Sequence, residues 1–139
     1  DTLDGKFRQI LSKSDYQYGL QIHDIHQWEF LEFHDNQGWE SVRSPASAKT
    51  WKYIVGVRDG RNQYLYVDGV LASASIIRLD TAFAAPRQNV WIGRQSDGPL
   101  RFWKGMIDEV RADNVVRSPG WIRLCYMNQK ENDALVTFK

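Results

Sequence analysis

Residues 51–69, WKYIVGVRDGRNQYLYVDG, hold two β-rich runs on either side of Asp59-Gly60-Arg61-Asn62, and the second run ends on another turn signal, Asp68-Gly69. The stretch therefore reads as a β-hairpin. Side chains alternate with period 2 along a strand, so Trp51, Tyr53, Val55 and Val57 are expected on one face, with Leu65 and Val67 meeting them across the ladder. Such a pairing supplies half of a core between two layers.

Upstream, residues 7–13 form a short extended run broken by Ser14-Asp15, after which Tyr16, Tyr18, Leu20 and Ile22 alternate with polar neighbours. Residues 27–34 place Trp28 and Phe30 on one side and Leu31 and Phe33 on the other, the pattern of an inner strand covered on both faces. A turn at residues 35–38 leads to an extended run at 39–43, which Ser44-Pro45-Ala46-Ser47 ends. Downstream, residues 70–79 are β-prone, residues 80–88 with Pro86 read as a surface loop, and 89–94 and 101–111 read as strands on either side of Ser96-Asp97-Gly98-Pro99. The one helical signal is Ser118 as N-cap, Pro119 at the first helical position, and Trp121, Leu124, Cys125 and Asn128 on one face. Residues 134–138 can close as a final strand. Turns at intervals of about 8–12 residues indicate an all-β chain, a two-sheet antiparallel jelly-roll sandwich with one short helix near the C-terminus.

The 139 residues, 42% of them hydrophobic, suit a single domain with one core. Eighteen basic residues stand against seventeen acidic ones and are scattered, so there is no electrostatic footprint for nucleic acid. The single cysteine, Cys125, cannot form an internal disulfide and leaves the compartment open. No apolar run approaches the roughly 20 residues that span a bilayer, so membrane insertion is not expected. The opening DTLDGKFRQ lacks the layout of a signal peptide and runs straight into a strand, as a mature form or an excised segment would.

Four phrases occur in order: QILSKSDYQYGLQI from Gln9, WKYIVGVRDGRNQYLYVDGVLAS from Trp51, NVWIGR from Asn89, and FWKGMIDEVRADNVVRSPGWIRLCYMNQ from Phe102. Together the chain resembles the laminin-G-like, concanavalin A-like lectin/glucanase jelly-roll family, in the bacterial form appended to glycoside hydrolases, sialidases and cell-surface proteins. The resemblance implies that residues 1–139 are one module of a larger extracellular or cell-surface protein. Such domains usually carry one or two more strands before the equivalent of Gln9, so an open edge is expected, available for pairing with another segment or chain. Some relatives hold a structural calcium ion. The resemblance then makes Asp108 in GMIDEVR the metal candidate, with Glu109, Asp35, Asp4 and carbonyl groups near Gly5 as companions, because one carboxylate never satisfies the six to eight oxygens calcium takes.

Six tryptophans and six tyrosines invite a carbohydrate ligand, since sugar C–H faces stack on aromatic planes while amides, acids and arginines bind hydroxyls. The expected ligand residues are Trp28, Trp39, Trp91, Trp103 and Arg94, with Trp51 and Trp121 assigned to the core. The default for Arg94, as for Arg58, Asp59, Arg111 and Asp113, is a surface ion pair or a turn contact. His23, His26 and His34 lack the spacing of a zinc site. Glucanases of this fold place acids at alternate positions on one sheet face. Here Glu29 and Glu32 are three apart, which points them to opposite faces. No nucleophile elbow, phosphate loop or Cys–His pair appears. The reading is a non-catalytic carbohydrate-binding module. Its alternative is a structural or protein-interaction sandwich without sugar affinity, and behind both stands a cryptic glycoside hydrolase.

Overall fold

The structure, a computed structural model, describes residues 3–14, 17–34, 38–78 and 88–130. Among these the chain forms two antiparallel sheets, of five and three strands, and one short helix, a jelly-roll sandwich. Strands β1 (Arg8–Lys13), β2 (Tyr18–His23), β3 (Gln27–His34) and β4 (Gly38–Pro45) run as a meander. The chain then crosses to the second sheet for β5 (Ile54–Asp59), β6 (Asn62–Val67) and β7 (Val70–Ile76). It returns as β8 (Val90–Ile92), which pairs with the free edge of β1, giving the order β4-β3-β2-β1-β8 in the large sheet and β5-β6-β7 in the small one. Helix α1 (Pro119–Asn128) follows.

The central hairpin forms with Leu65 and Val67 inward as expected, but β5 turns inward the face opposite to the one the alternation suggested. Its turn has two central residues, so Asp59 pairs with Asn62 and every odd position of β5 faces an even position of β6. Leu65 lies opposite Gly56 and Val67 opposite Ile54, while Val55 and Val57 lie opposite Tyr66 and Tyr64 on the other face. Gly56 is therefore the inward residue, and a Cβ there would come within 2.5 Å of the Phe30 ring. Trp51, expected in the core, precedes β5 and is 63% exposed. Asp68 and Gly69, both at positive φ, make the turn between β6 and β7, the backbone that an Asp-Gly hairpin turn requires. Asp68 also accepts from the Tyr53 N–H at 3.1 Å and from Lys52 Nζ at 2.5 Å, which ties down the entry to β5.

Ile22, Trp28, Val42 and Leu65 form the buried cluster between the sheets, with Leu20, Phe30, Ile54, Val67 and Trp103 packed against it. These positions fix the inner face of the large sheet: even residues in β2, β3 and β4. At one end of the interior the buried Glu32 accepts at Oε2 from Arg58 Nη1 and Gln63 Nε2 of the facing sheet, each at 2.6 Å. A buried carboxylate is tolerated because donors replace its lost water.

Residues 101–111, expected as the last long strand, form none. Arg101, Gly105 and Glu109 all adopt positive φ, which interrupts the extended run every four residues. The helix starts as its sequence indicates: the Ser118 side chain accepts from the Trp121 N–H, with Pro119 in the first turn. Its buried residue is Ile122, which the expected apolar face omitted, whereas Leu124 is exposed. Trp121 is only partly buried, with the guanidinium groups of Arg117 and Arg111 4.5 and 5.5 Å from its ring. The expected loop at residues 80–88 falls almost wholly outside the described residues, and the expected strand at 134–138 falls wholly outside them.

Candidate functional site

The outer face of the large sheet, turned away from the hydrophobic cluster, carries a row of four polar side chains, one from each strand of the meander. Gln9, Gln21, Glu29 and Arg43 lie directly opposite one another in the ladder. Gln9 Nε2 donates to Gln21 Oε1 at 2.9 Å, Gln21 Nε2 donates to Glu29 Oε2 at 2.6 Å, and Arg43 Nε donates to Glu29 Oε1 at 2.6 Å. Cross-strand neighbours on one face stand about 4.5–5.5 Å apart, a separation that glutamine and glutamate side chains bridge by hydrogen bonds. The first three are 2% exposed, whereas the Arg43 side chain is 40% exposed. The row thus anchors a surface guanidinium to a buried carboxylate, through an interaction between charged groups that is stronger than a neutral hydrogen bond.

A second row on the same face consists of Ser41, Leu31, Gly19, Ser12 and Trp91. It is low at Gly19, where an added Cβ would meet Gln9 Oε1 and Leu31 at 3.3 Å. Aromatic rings stand at both ends of the face. On β4, Trp39 is 45% exposed and packs edge-on against Phe33 at 5.2 Å. On β8, Trp91 is 40% exposed, and the Arg94 guanidinium lies 3.8 Å from its ring centroid. Four strand spacings separate the two edges, about 19 Å.

Trp39, Trp91 and Arg94 are thus the expected ligand residues that reach this face. Trp28 is in the core, 5% exposed, and stacks on Trp103 at 6.4 Å, which packs on the same cluster. Arg94 makes no ion pair among the described residues, in contrast to its default assignment, and its Nε is a buried donor without a partner. Arg58 donates to the Gly60 carbonyl in the turn and also pairs with buried Glu32, and Asp113 forms an ion pair with Arg117 near the surface. The polar row itself was not singled out from the sequence. The signal for it is a long polar residue at the outward parity in four successive strands.

Glu29 and Glu32 do point to opposite faces, one to Arg43 and one to the interior. They form no pair across a shared groove. The donors around Asp108 do not fit calcium. Asp108 is exposed, with Oδ1 accepting from the Glu109 N–H at 2.9 Å. Asp4 is held by Arg8 and by Lys104 at 3.0 Å, and those hydrogen bonds, Arg8 first, keep its carboxyl well below the usual carboxylate range. Asp35 lies outside the described residues, among which no three His, Cys, Asp or Glu side chains gather. The histidines are likewise separate: His23 packs on Phe7 at 4.6 Å, His34 is buried beside Glu32, and His26 sits in the turn before β3.

A two-sheet antiparallel sandwich with one short helix defines the class of β-sandwich modules. The chain belongs to the concanavalin A-like lectin/glucanases superfamily, through the Laminin_G_3 family model, which matches residues 1–123. Among solved structures it is similar to residues 221–444 of an S-layer domain-containing protein from Clostridium thermocellum ATCC 27405, at 19% identity and a TM-score of 0.48. That match covers 91% of this chain, which spans 64% of the other. No curated protein matches. No described helix is long and apolar enough to cross a membrane.

Proposed function

We propose that the chain is a non-catalytic, lectin-like module that binds glycans on the outer face of its five-stranded sheet, as part of an extracellular or cell-surface protein. The observation that carries this reading is the pairing of exposed indoles with fixed polar groups. Trp39 and Trp91 offer stacking surfaces at the two edges, and Arg43, on the same edge strand as Trp39 and oriented by Glu29, offers hydroxyl-binding donors. The width of the face, four strand spacings or about 19 Å, suits an oligosaccharide rather than one sugar. The separation of Glu29 from Glu32 supports binding without cleavage, since glycoside hydrolysis needs two carboxyl groups flanking one bond.

The test is a glycan array followed by calorimetry on the hits. Binding is expected to weaken in Trp39→Ala and in Trp91→Ala, with the melting temperature showing that each variant is folded. Silence of the folded wild-type protein across the array refutes the reading.

A second reading, a protein-interaction or spacer domain, is favoured by the apolar side chains along residues 100–116. Leu100, Phe102, Met106, Val110, Val115 and Val116 are all exposed. A stable dimer in sedimentation, combined with no sugar affinity, supports it over the first.

A further inference from the structure

Most arginines of the described residues are matched. Arg8, Arg43, Arg58, Arg78 and Arg117 each hold a carboxylate, and Arg61 donates to the carbonyls of Ile77 and Arg78. Arg94 and Arg101 form no ion pair among these residues. Each lies over an aromatic ring instead, Arg94 3.8 Å from the centroid of Trp91 and Arg101 4.9 Å from that of Phe7.

Strand β1 brings the two cations to one edge of the large sheet. Trp91 pairs with Ser12, the Gly93 N–H donates to the Ile10 carbonyl at 2.9 Å, and the Gln9 N–H donates to the Arg101 carbonyl at 2.9 Å. Gln9 lies between them, and its Oε1 is a buried acceptor without a partner, just as Arg94 Nε is a buried donor without one. Beside Arg101 and Phe7 opens a cleft of about 370 Å³ that Lys6 and Arg8 also line. Asp24 is the one carboxylate among its lining residues, with Oδ1 2.5 Å from His23 Nδ1 but without a hydrogen bond, and the neighbouring Asp4 is bound by Arg8 and Lys104.

We propose that this edge is a subsite for an acidic sugar, with Arg94 receiving the carboxylate of a uronic acid residue, Trp91 serving as its platform, and Arg101 receiving the carboxylate of a neighbouring uronate. The inference deepens the glycan reading and rests on it. A guanidinium matches a carboxylate with two parallel hydrogen bonds, and one already stacked on an indole is held in place before the ligand arrives. A neutral sugar leaves both guanidinium charges unmatched.

The test titrates hexagalacturonate, its fully methyl-esterified form and a sulfated neutral hexasaccharide into the protein by calorimetry. The esterified form keeps the rings and removes the charge. Hexagalacturonate is expected to bind most tightly, and more weakly as salt rises. Arg94→Ala is expected to lower that affinity by at least about tenfold, the scale of one hydrogen bond to a charged group, and to lower affinity for the ester by a smaller factor. Arg94→Lys should recover part of the loss, because it keeps the charge without the planar fork. Equal affinity for acid and ester overturns the charge inference and leaves the glycan reading standing. Equal affinity for the sulfated sugar overturns the carboxylate assignment. Failure of all three ligands, in a protein that is also silent on the array, removes both the inference and the reading beneath it.

Discussion

Gly56→Ala distinguishes the observed hairpin register from the alternative one residue away. In the observed register the new methyl group points into the sandwich and lies 2.5 Å from Cγ and Cδ2 of Phe30. Favourable carbon contacts are about 3.5–4.0 Å long, so ring and methyl must separate by about 1 Å. Phe30 packs on the buried cluster and cannot yield freely. Overpacking of this kind costs about 1–3 kcal/mol, a fall in melting temperature of about 3–12 °C for a chain of this length. In the alternative register Gly56 faces outward, and alanine, a better strand residue than glycine, is neutral or stabilising by up to about 1 kcal/mol. The two registers thus predict opposite signs. Urea unfolding of Gly56→Ala, Phe30→Leu and the double variant measures both the sign and the coupling. The double variant is expected to be more stable than the sum of the singles by about 1 kcal/mol or more, since leucine vacates the space the methyl group needs. A Gly56→Ala protein as stable as the wild type refutes the register, and with it the division of β5, β6 and β7 into inner and outer faces.

Two further outcomes concern solution conditions. Asp4 and Asp113 are held below their ordinary value, 3.8, by hydrogen bonds from arginine, so the stability they contribute is complete above that pH and is lost as pH falls below it. Burial raises Tyr53 and Tyr66 above 10.0, so their contribution is complete below pH 10.0 and is lost above it. Melting temperatures across the pH range should therefore fall at both ends, with Asp4→Asn flattening the acid side and Tyr66→Phe the alkaline side. Unchanged slopes in these variants contradict the assignment. Chelation with EDTA is expected to leave the melting temperature within about 1 °C, and a rise of several degrees on adding calcium would reveal a site the described residues do not form.

The strands that were legible in the sequence are those whose local pattern and tertiary setting agree. The run at residues 27–34 coincides with β3, and its period-2 alternation places Glu29 and Glu32 on opposite faces as observed. Ser118 and Pro119 mark the helix start because capping is a local bond between neighbours. The hairpin register was not legible from hydrophobicity, since Val55 and Val57 look more suited to a core than Gly56. The turn decides it, because two central residues force odd positions to face even ones. Residues 101–111 alternate convincingly, yet a strand also needs continuous extended backbone, and positive φ at three of those residues denies it. The tryptophans show the same limit. Trp28 and Trp103 stack in the core, while Trp51 lies at the surface, and nothing in their immediate neighbours separates these fates.

The polar row explains how a surface arginine can be ready for a ligand without being rigidly enclosed. An isolated surface arginine samples many rotamers, and fixing them on binding costs affinity. Here Glu29 receives one hydrogen bond from Arg43 and another from Gln21, which is itself bonded to Gln9. The carboxylate is thus held from the side of the sheet centre, and the guanidinium that docks on it inherits that position. The ordering is supplied by strand pairing during folding, because all four residues share one register position across β1 to β4. In the proposed glycan reading Glu29 is therefore a positioning residue for the face. Its burial, which would be costly for a lone carboxylate, follows from the donors on both its flanks.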